Sequence, residues 1–316
     1  MSKFENVSWM IIVNPAAANG NVGQKWPQLQ DRLAAKIKIR DVAFTERRGQ
    51  ATILTISAVE KGVRHLIAVG GDGTNHEVVN GIMQQQEVPS SEIFYTLLPV
   101  GTGNDWIRTH GIPKPIDQWL DMLNKGHCIR QEVGLVEYQS EGQSQSRYFA
   151  NVAGMAYDGY VVRYGELKRG WVRNRFFYLL LILRCLFQYR LTAGIIESDR
   201  LQVRDRFYTI NIGICRFSGG GMQLVPQADP TDGRLALTYA GPVSKLGVLL
   251  NTWRFYNGSI GQHPKIETLQ VQTVSVSAPP GEEPLLLEAD GEFLGCSPAV
   301  FSIVENALTV IVPKKM

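Results

Sequence analysis

The stretch Ala68-Val-Gly-Gly-Asp-Gly-Thr-Asn-His-Glu77 holds the residue types best suited to chemistry. Three glycines in four positions, Gly70, Gly71 and Gly73, enclose Asp72. The apolar run from Leu66 to Val69 predicts a buried strand ahead of them, and the residues after them predict a helix. Thr74 as N-cap with Glu77 three residues on predicts a capping box. Strand, glycine turn and helix N-terminus together form an anion site. Backbone N–H groups with no side chain in the way can close on phosphate oxygens, and the helix dipole adds attraction. A carboxylate in such a turn is out of place unless a cation or a proton transfer is involved. The pairing points to magnesium–nucleotide chemistry.

Leu97-Leu-Pro-Val-Gly-Thr-Gly-Asn-Asp105 repeats the logic, with Gly101 and Gly103 around Thr102 and a helix beginning near Asn104 or Asp105. Asn14, with Gly20 and Gly23 behind it, closes an earlier apolar run, and Thr45 closes the next. Each has an ordinary role too: Asn is a turn former, and threonine is a turn hydroxyl or helix cap. No Walker A Lys-Ser/Thr and no GxGxxG are present, which excludes a P-loop NTPase and a conventional dinucleotide-binding dehydrogenase.

The elements that must position these loops alternate. Strands are expected at Trp9–Val13, Ile39–Phe44, His65–Val69 and Phe94–Leu98, and helices at Gln24–Ile37, Ala51–Glu60 and Asn75–Gln85. That order predicts a mostly parallel sheet wrapped by helices, with ligands at the C-terminal strand ends. From Cys128 onward strands dominate, including Ile129–Tyr138, Arg147–Ala153, Tyr208–Ile214 and Ala307–Val312. An antiparallel sandwich or barrel is expected there, interrupted by helical insertions around Asp158–Arg190 and Val243–Tyr256.

With 316 residues, 44% hydrophobic and 19% charged, the chain is expected to form two ordered domains. A net charge of +3 gives no signal for nucleic acid. The four cysteines have no CxxC or His at metal spacing, so free thiols in a reducing cytosol are expected. The longest apolar run, Phe176–Leu183, is too short to span a bilayer.

Taken in order, Asn14-Pro15, Gly70–Gly81, Pro99-Val-Gly-Thr-Gly-Asn-Asp105, Asn151-Val-Ala-Gly154, Asp232-Gly233 and Ala289-Asp-Gly-Glu292 resemble the diacylglycerol kinase catalytic-domain superfamily, and within it the bacterial lipid kinases. GGDGT alone is also similar to NAD kinases; the later motifs separate the two. The resemblance implies an NAD-kinase-like α/β domain over residues 1–128, completed by a strand at about 305–316, and a β-sandwich lipid-acceptor domain over 129–304. It implies ATP and Mg2+, with Asn14, Thr45, Gly70, Gly71, Asp72, Gly73, Thr74 and Thr102 at the nucleotide. Glu292 falls on the family's general base, and Asp72 is placed with it in catalysis. The oxygen-rich turn Asp229–Arg234 falls on a structural Mg2+ site, with Asp232 as carboxylate and Asp229 and Arg234 giving carbonyls. Without the resemblance, Asp290-Gly291 reads as a hairpin turn and Asp229–Asp232 as a solvated Asx turn.

Asp105 and Arg108, one helical turn apart, read as a surface ion pair or, with Lys168, as a charged network near Asp72. Asp158 reads as a helix cap or a contact for the lipid headgroup. Residues 166–190, basic at both ends around an apolar run, read as a core helix or as one bordering an acyl pocket at a membrane surface. The expected protein is a cytoplasmic diacylglycerol kinase, peripheral at the inner membrane face, with a lipid substrate, no nucleic acid, and a homodimer left open. A sphingoid-base or ceramide kinase and a catalytically silent lipid-binding protein are the alternatives. One departure stands out: Ala18 occupies a position where the family usually shows glycine, and its Cβ resists positive φ.

Overall fold

The computed structural model describes residues 4, 7–101, 103–167 and 175–314. They form two compact units, Met1–Val133 with Val304–Met316, and Gly134–Ile303.

In the first unit β1 (Ser8–Val13), α1 (Asn21–Ala34), β2 (Lys38–Phe44), α2 (Gln50–Glu60), β3 (His65–Gly70), α3 (Asp72–Gln84), β4 (Phe94–Pro99), α4 (Trp106–His110) and α5 (Ile116–Lys125) follow in order. The strands run in the order β4-β3-β1-β2, all parallel. Near-continuous apolar strands are what a sheet covered on both faces requires; Trp9, Ile11, Ile12, Leu66, Ile67 and Tyr95 are fully buried. The last strand of the chain joins this sheet, with Thr309 and Val310 beside Phe94 and Tyr95. Thr96 Oγ1 donates to the Ile311 carbonyl at 3.3 Å. The C-terminal ends of β1 to β4 therefore share one edge. They deliver Asn14, Thr45, Gly70 and residues 100, 101, 103 and 104 to it, the place where open parallel sheets bind ligands.

β5 (His127–Ser140) leads into the second unit. There β6 (Gln143–Phe149), β7 (Val152–Ala156), α6 (Tyr157–Leu167), α7 (Arg175–Gln188), β8 (Thr192–Ser198), β9 (Gln202–Phe207), β10 (Thr209–Gly213), β11 (Phe217–Ser218) and β12 (Met222–Gln223) precede β13 (Leu235–Ala240). Then come α8 (Lys245–Asn251), α9 (Trp253–Asn257), β14 (Ile266–Val271), β15 (Val274–Ser277), β16 (Leu286–Ala289) and β17 (Glu292–Val312). The strand order is β14-β13-β10-β7-β16-β17, and β17 also pairs β15, which continues through β8 to β9. These pairings are antiparallel. No described helix is long and apolar enough to cross a membrane.

Two local expectations change. Thr74 is not a cap: α3 starts at Asp72 with Gly71 as N-cap. Gly71 is fully extended (φ −119°, ψ −163°), so the helix leaves the strand directly and Thr74 falls inside its first turn. Glu77 serves another helix. Its carboxylate accepts from Gly49 N (2.8 Å) and Ala51 N (3.0 Å) at the start of α2, whose own N-cap, Gly49, has no side chain to offer. Second, the strand expected over 147–153 breaks between β6 and β7. The Asp290 carboxylate takes the N–H groups of Ala150, Asn151 and Val152 at 3.0–3.2 Å, which removes them from a ladder.

Candidate functional site

At the glycine edge of the first unit, the turns after β3 and β4 approach backbone to backbone. A Cβ on Gly101 would lie 2.7 Å from Gly71 Cα and 2.8 Å from Asn104 Oδ1. One on Gly70 would lie 2.3 Å from Thr74 Oγ1, and one on Gly103 2.8 Å from Asp72 Oδ2. Only glycine allows this fit, because any side chain would part the two turns. Asn104, held at φ 55°, donates from Nδ2 to the Gly101 carbonyl at 2.7 Å. Its Oδ1 is buried and has no hydrogen-bond partner among the described residues. An orphaned acceptor beside a cradle that a methyl group would fill is a site shaped for a ligand.

Asp72 ties the two turns together. Its Oδ1 accepts from Asp105 N at 2.9 Å and Trp106 N at 3.3 Å. Burial first, and then the Asp105 charge, push its carboxyl up to about 6, against the pull of backbone donors from residues 104–106. Arg108 Nε pairs with Asp105 Oδ1 at 3.2 Å, and Asp105 is the charge that acts on Asp72. Asn14 Nδ2 donates to Thr74 Oγ1 at 3.1 Å, while its Oδ1 accepts from Ala16 N. Thr45 is buried at the end of β2, its N–H on the Val13 carbonyl. Thr102 and Lys168 lie outside the described residues.

Ala18 does take positive φ (54°), followed by Asn19 (58°) and Gly20 (86°). The loop keeps a left-handed path and places a Cβ where the conformation disfavours one, at a cost of ~1–2 kcal/mol.

In the second unit, Asp290 (φ 51°) and Gly291 (φ 84°) form the two-residue turn between β16 and β17, with Ala289 paired to Glu292. Two positive φ values in a row are the signature of a type I′ hairpin turn. The turn is unusually anchored: Asp290 takes three N–H groups from the 150–152 segment, and Gly291 N donates to Glu288 Oε2 at 2.8 Å. Glu292 starts β17, half-buried, on this fixed platform. Glu292 and Asp72 belong to different units.

A second acid group joins Asp158, singled out in the sequence, to Glu288, which was not. Glu288 is buried and Asp158 half-buried, and they converge on Gly154, where a Cβ would meet Asp158 Cβ and Glu288 Oε1, each at 2.7 Å. Burial pushes Asp158 up to about 6 despite a hydrogen bond from Thr209 Oγ1. Burial and the Asp158 charge raise Glu288 well above the ordinary carboxylate range. Asn211 Oδ1, 3.3 Å from the same point, is buried with no partner among the described residues. The signal in the sequence was Glu288 inside the apolar strand Leu285-Leu-Leu-Glu-Ala289, since fully buried glutamates are rare unless held.

Thr209 and Asn211 also line a small, largely apolar pocket that opens to solvent. Leu224, Val248, Phe255 and Ile266 supply much of its wall. The pocket is lined from α8 and α9, and by none of the described residues of 166–190. The described part of α7 is half core: Leu181, Cys185 and Leu186 are buried, while Leu180 and Phe187 are exposed.

The turn at 229–234 closes on itself. Asp229 Oδ1 accepts from Thr231 N and Oγ1 (3.0 and 2.7 Å), Asp232 Oδ1 from Arg234 N (3.0 Å), and Asp232 Oδ2 from Gln270 Nε2. Burial raises the Asp232 carboxyl. These are Asx-type turns. No group of three or more His, Cys, Asp or Glu gathers among the described residues, so a cation here would have to draw mainly on backbone carbonyls.

Residues 8–136 match the model for the diacylglycerol kinase catalytic domain, and residues 152–312 match that for the YegS C-terminal NAD kinase beta sandwich-like domain. The chain belongs to this family of lipid kinases, a parallel α/β domain joined to an antiparallel β-rich one. It is 27% identical over 305 residues to a diacylglycerol kinase of Staphylococcus saprophyticus, covering 96% of this chain and 94% of that protein. A diacylglycerol kinase of Staphylococcus carnosus is 26% identical over 306 residues, with 96% and 94% covered. The crystal structure of a diacylglycerol kinase from Bacillus anthracis shares the fold, with a TM-score of 0.71 over 99% of this chain and 98% of that one at 22% identity.

Proposed function

We propose that the chain transfers the γ-phosphate of ATP to a lipid hydroxyl, with diacylglycerol as acceptor and phosphatidic acid as product. The observation that carries the reading is the Gly71–Gly101 approach at the C-terminal strand edge, bridged by Asp72. It makes a rigid, side-chain-free cradle of the kind that holds phosphates. Asn14, Thr45, Gly70–Thr74 and the loop holding Thr102 are the nucleotide side of the site. Arg108 pairs with Asp105, the acid beside Asp72.

Asp72 is the carboxylate that would face Mg2+ there, and the Asp229–Arg234 turn is the candidate for a structural Mg2+. Bound at the phosphates, Mg2+ neutralises charge on the transferred group. Glu292 takes the proton of the lipid hydroxyl. The freed oxygen attacks the γ-phosphorus, the bond to the bridging oxygen breaks, and ADP leaves. The anchored Asp290-Gly291 turn fixes the backbone from which Glu292 projects, which is what positioning a base requires. The pocket of the second unit, largely apolar and lined in part by Thr209 and Asn211, is the candidate entry for an acyl chain.

Transfer of labelled phosphate from ATP to a panel of diacylglycerol, ceramide and sphingosine tests this. The expected product is labelled phosphatidic acid, and Glu292→Gln lowers kcat by ~10²–10⁴-fold. Label in no lipid, or a Glu292→Gln variant as active as the parent, overturns the assignment. Label in ceramide or sphingosine alone moves the acceptor.

A further inference from the structure

Helices α8 and α9 are apolar on both faces. Gly247, Val248, Asn251 and Phe255 turn inward and line the pocket. Leu246, Leu250, Trp253 and Tyr256 are 65%, 66%, 55% and 56% exposed. The spacing of 246, 250, 253 and 256 is one helical stripe, and Thr252 between the helices keeps right-handed helical angles (φ −56°, ψ −33°), so the stripe continues from one helix into the next. An apolar helix face is ordinarily covered by protein or membrane, and among the described residues this outward stripe is exposed.

The segment that carries the stripe is itself basic, with Glu267 the next acid in the chain and Asp205 beside Gly241. Residues 242–266 contain Lys245, Arg254 and Lys265 and no Asp or Glu. Lys245 sits over the ring of Phe187, itself 60% exposed, and Arg254 stacks over Trp253 at 4.9 Å. Leucines with a tryptophan and a tyrosine, rimmed by cations, is the composition of an interfacial helix.

We propose that the outer face of α8 and α9 docks on an anionic phospholipid bilayer. The apolar stripe enters the headgroup–acyl boundary, and Lys245, Arg254 and Lys265 meet anionic headgroups. The same two helices then form both the membrane contact and part of the wall of the pocket, giving a lipid a short path from bilayer to protein. This last point rests on the lipid-kinase reading; the docking does not.

Sedimentation of the full chain with vesicles of phosphatidylcholine, with and without phosphatidylserine, is the test. Binding is expected to require phosphatidylserine and to weaken with salt. Leu250→Glu with Trp253→Glu is expected to lower the partition constant ~tenfold or more. Ile53→Glu, at an exposed apolar residue of α2, is expected to leave it unchanged. Circular dichroism establishes that the variants fold. Vesicle binding that the double substitution does not reduce overturns the proposal. So does sedimentation equilibrium showing a dimer that the double substitution dissolves, with no vesicle binding by the parent. A water-soluble short-chain diacylglycerol separates the two readings: turnover without vesicle binding sinks the docking alone, and vesicle binding without turnover on any lipid sinks the kinase assignment alone.

Discussion

Gly101→Ala puts one methyl group into the closest contact of the glycine edge. The new Cβ would stand 2.7 Å from Gly71 Cα, 2.8 Å from Asn104 Oδ1 and 3.4 Å from Gly71 N. The nearest obstacle is main chain, so no rotamer change relieves it. Bringing 2.7 Å to an ordinary 3.4 Å parts the two turns by ~0.7 Å, a strain of the kind that costs ~1–3 kcal/mol in packed sites. The movement acts on both loops assigned to the phosphates and on the bonds from residues 105 and 106 to Asp72. A displacement near 1 Å in a positioning element costs ~10²-fold in rate. Chemical denaturation should therefore show a loss of ~1–3 kcal/mol, and phosphate transfer a fall in kcat of ~10²-fold. Gly165→Ala in α6, whose Cβ would meet nothing closer than 3.9 Å, is the control and should cost neither. Parent-like stability and turnover in Gly101→Ala would refute the argument that the cradle depends on backbone contact. Lost stability with full turnover would keep the packing argument and remove the cradle from catalysis.

Two further outcomes follow from single residues. Ala18→Gly relieves the left-handed strain of the first loop and should raise stability by ~1 kcal/mol, read as a higher denaturation midpoint; a lower midpoint would mean that the methyl group contributes packing that outweighs the strain. The raised carboxyls of Asp72 and Asp158 fix a pH dependence with a definite sign. Each moves from 3.8 in the unfolded chain to about 6 when folded, so the folded state holds the proton longer. Their contribution is fully present below pH ~4 and is lost as pH rises through ~6, by up to ~3 kcal/mol per group. Asp158→Asn should therefore lessen the fall in stability between pH 4.5 and 6.5, measured as paired denaturant midpoints; an unchanged fall would show that Asp158 ionises freely in the folded protein.

The sequence by itself determined the alternation of elements in the first unit, the four loops at one sheet edge and the hairpin at Asp290-Gly291. These depend on local matters: apolar runs of strand length, helical spacing, and turn residues whose φ preferences are intrinsic. It also determined the family, because short motifs in a fixed order survive without any knowledge of contacts. Tertiary structure alone decided where polar side chains find their partners. Glu77 looked like a cap for its own helix because it stood three residues after Thr74, yet it caps α2, 28 residues earlier at Gly49. Asp290 looked like a turn former, and it also ends the strand expected over 147–153. Glu288 meets Asp158 around Gly154 because β16 pairs with β7 in a register that sets Glu288 opposite Gly154, four residues before Asp158. The pocket drew its wall from α8 and α9, because an apolar run carries no mark of which surface it will line. Hydrogen-bond satisfaction and burial are settled between segments far apart in the chain, and spacing along one segment carries no record of them.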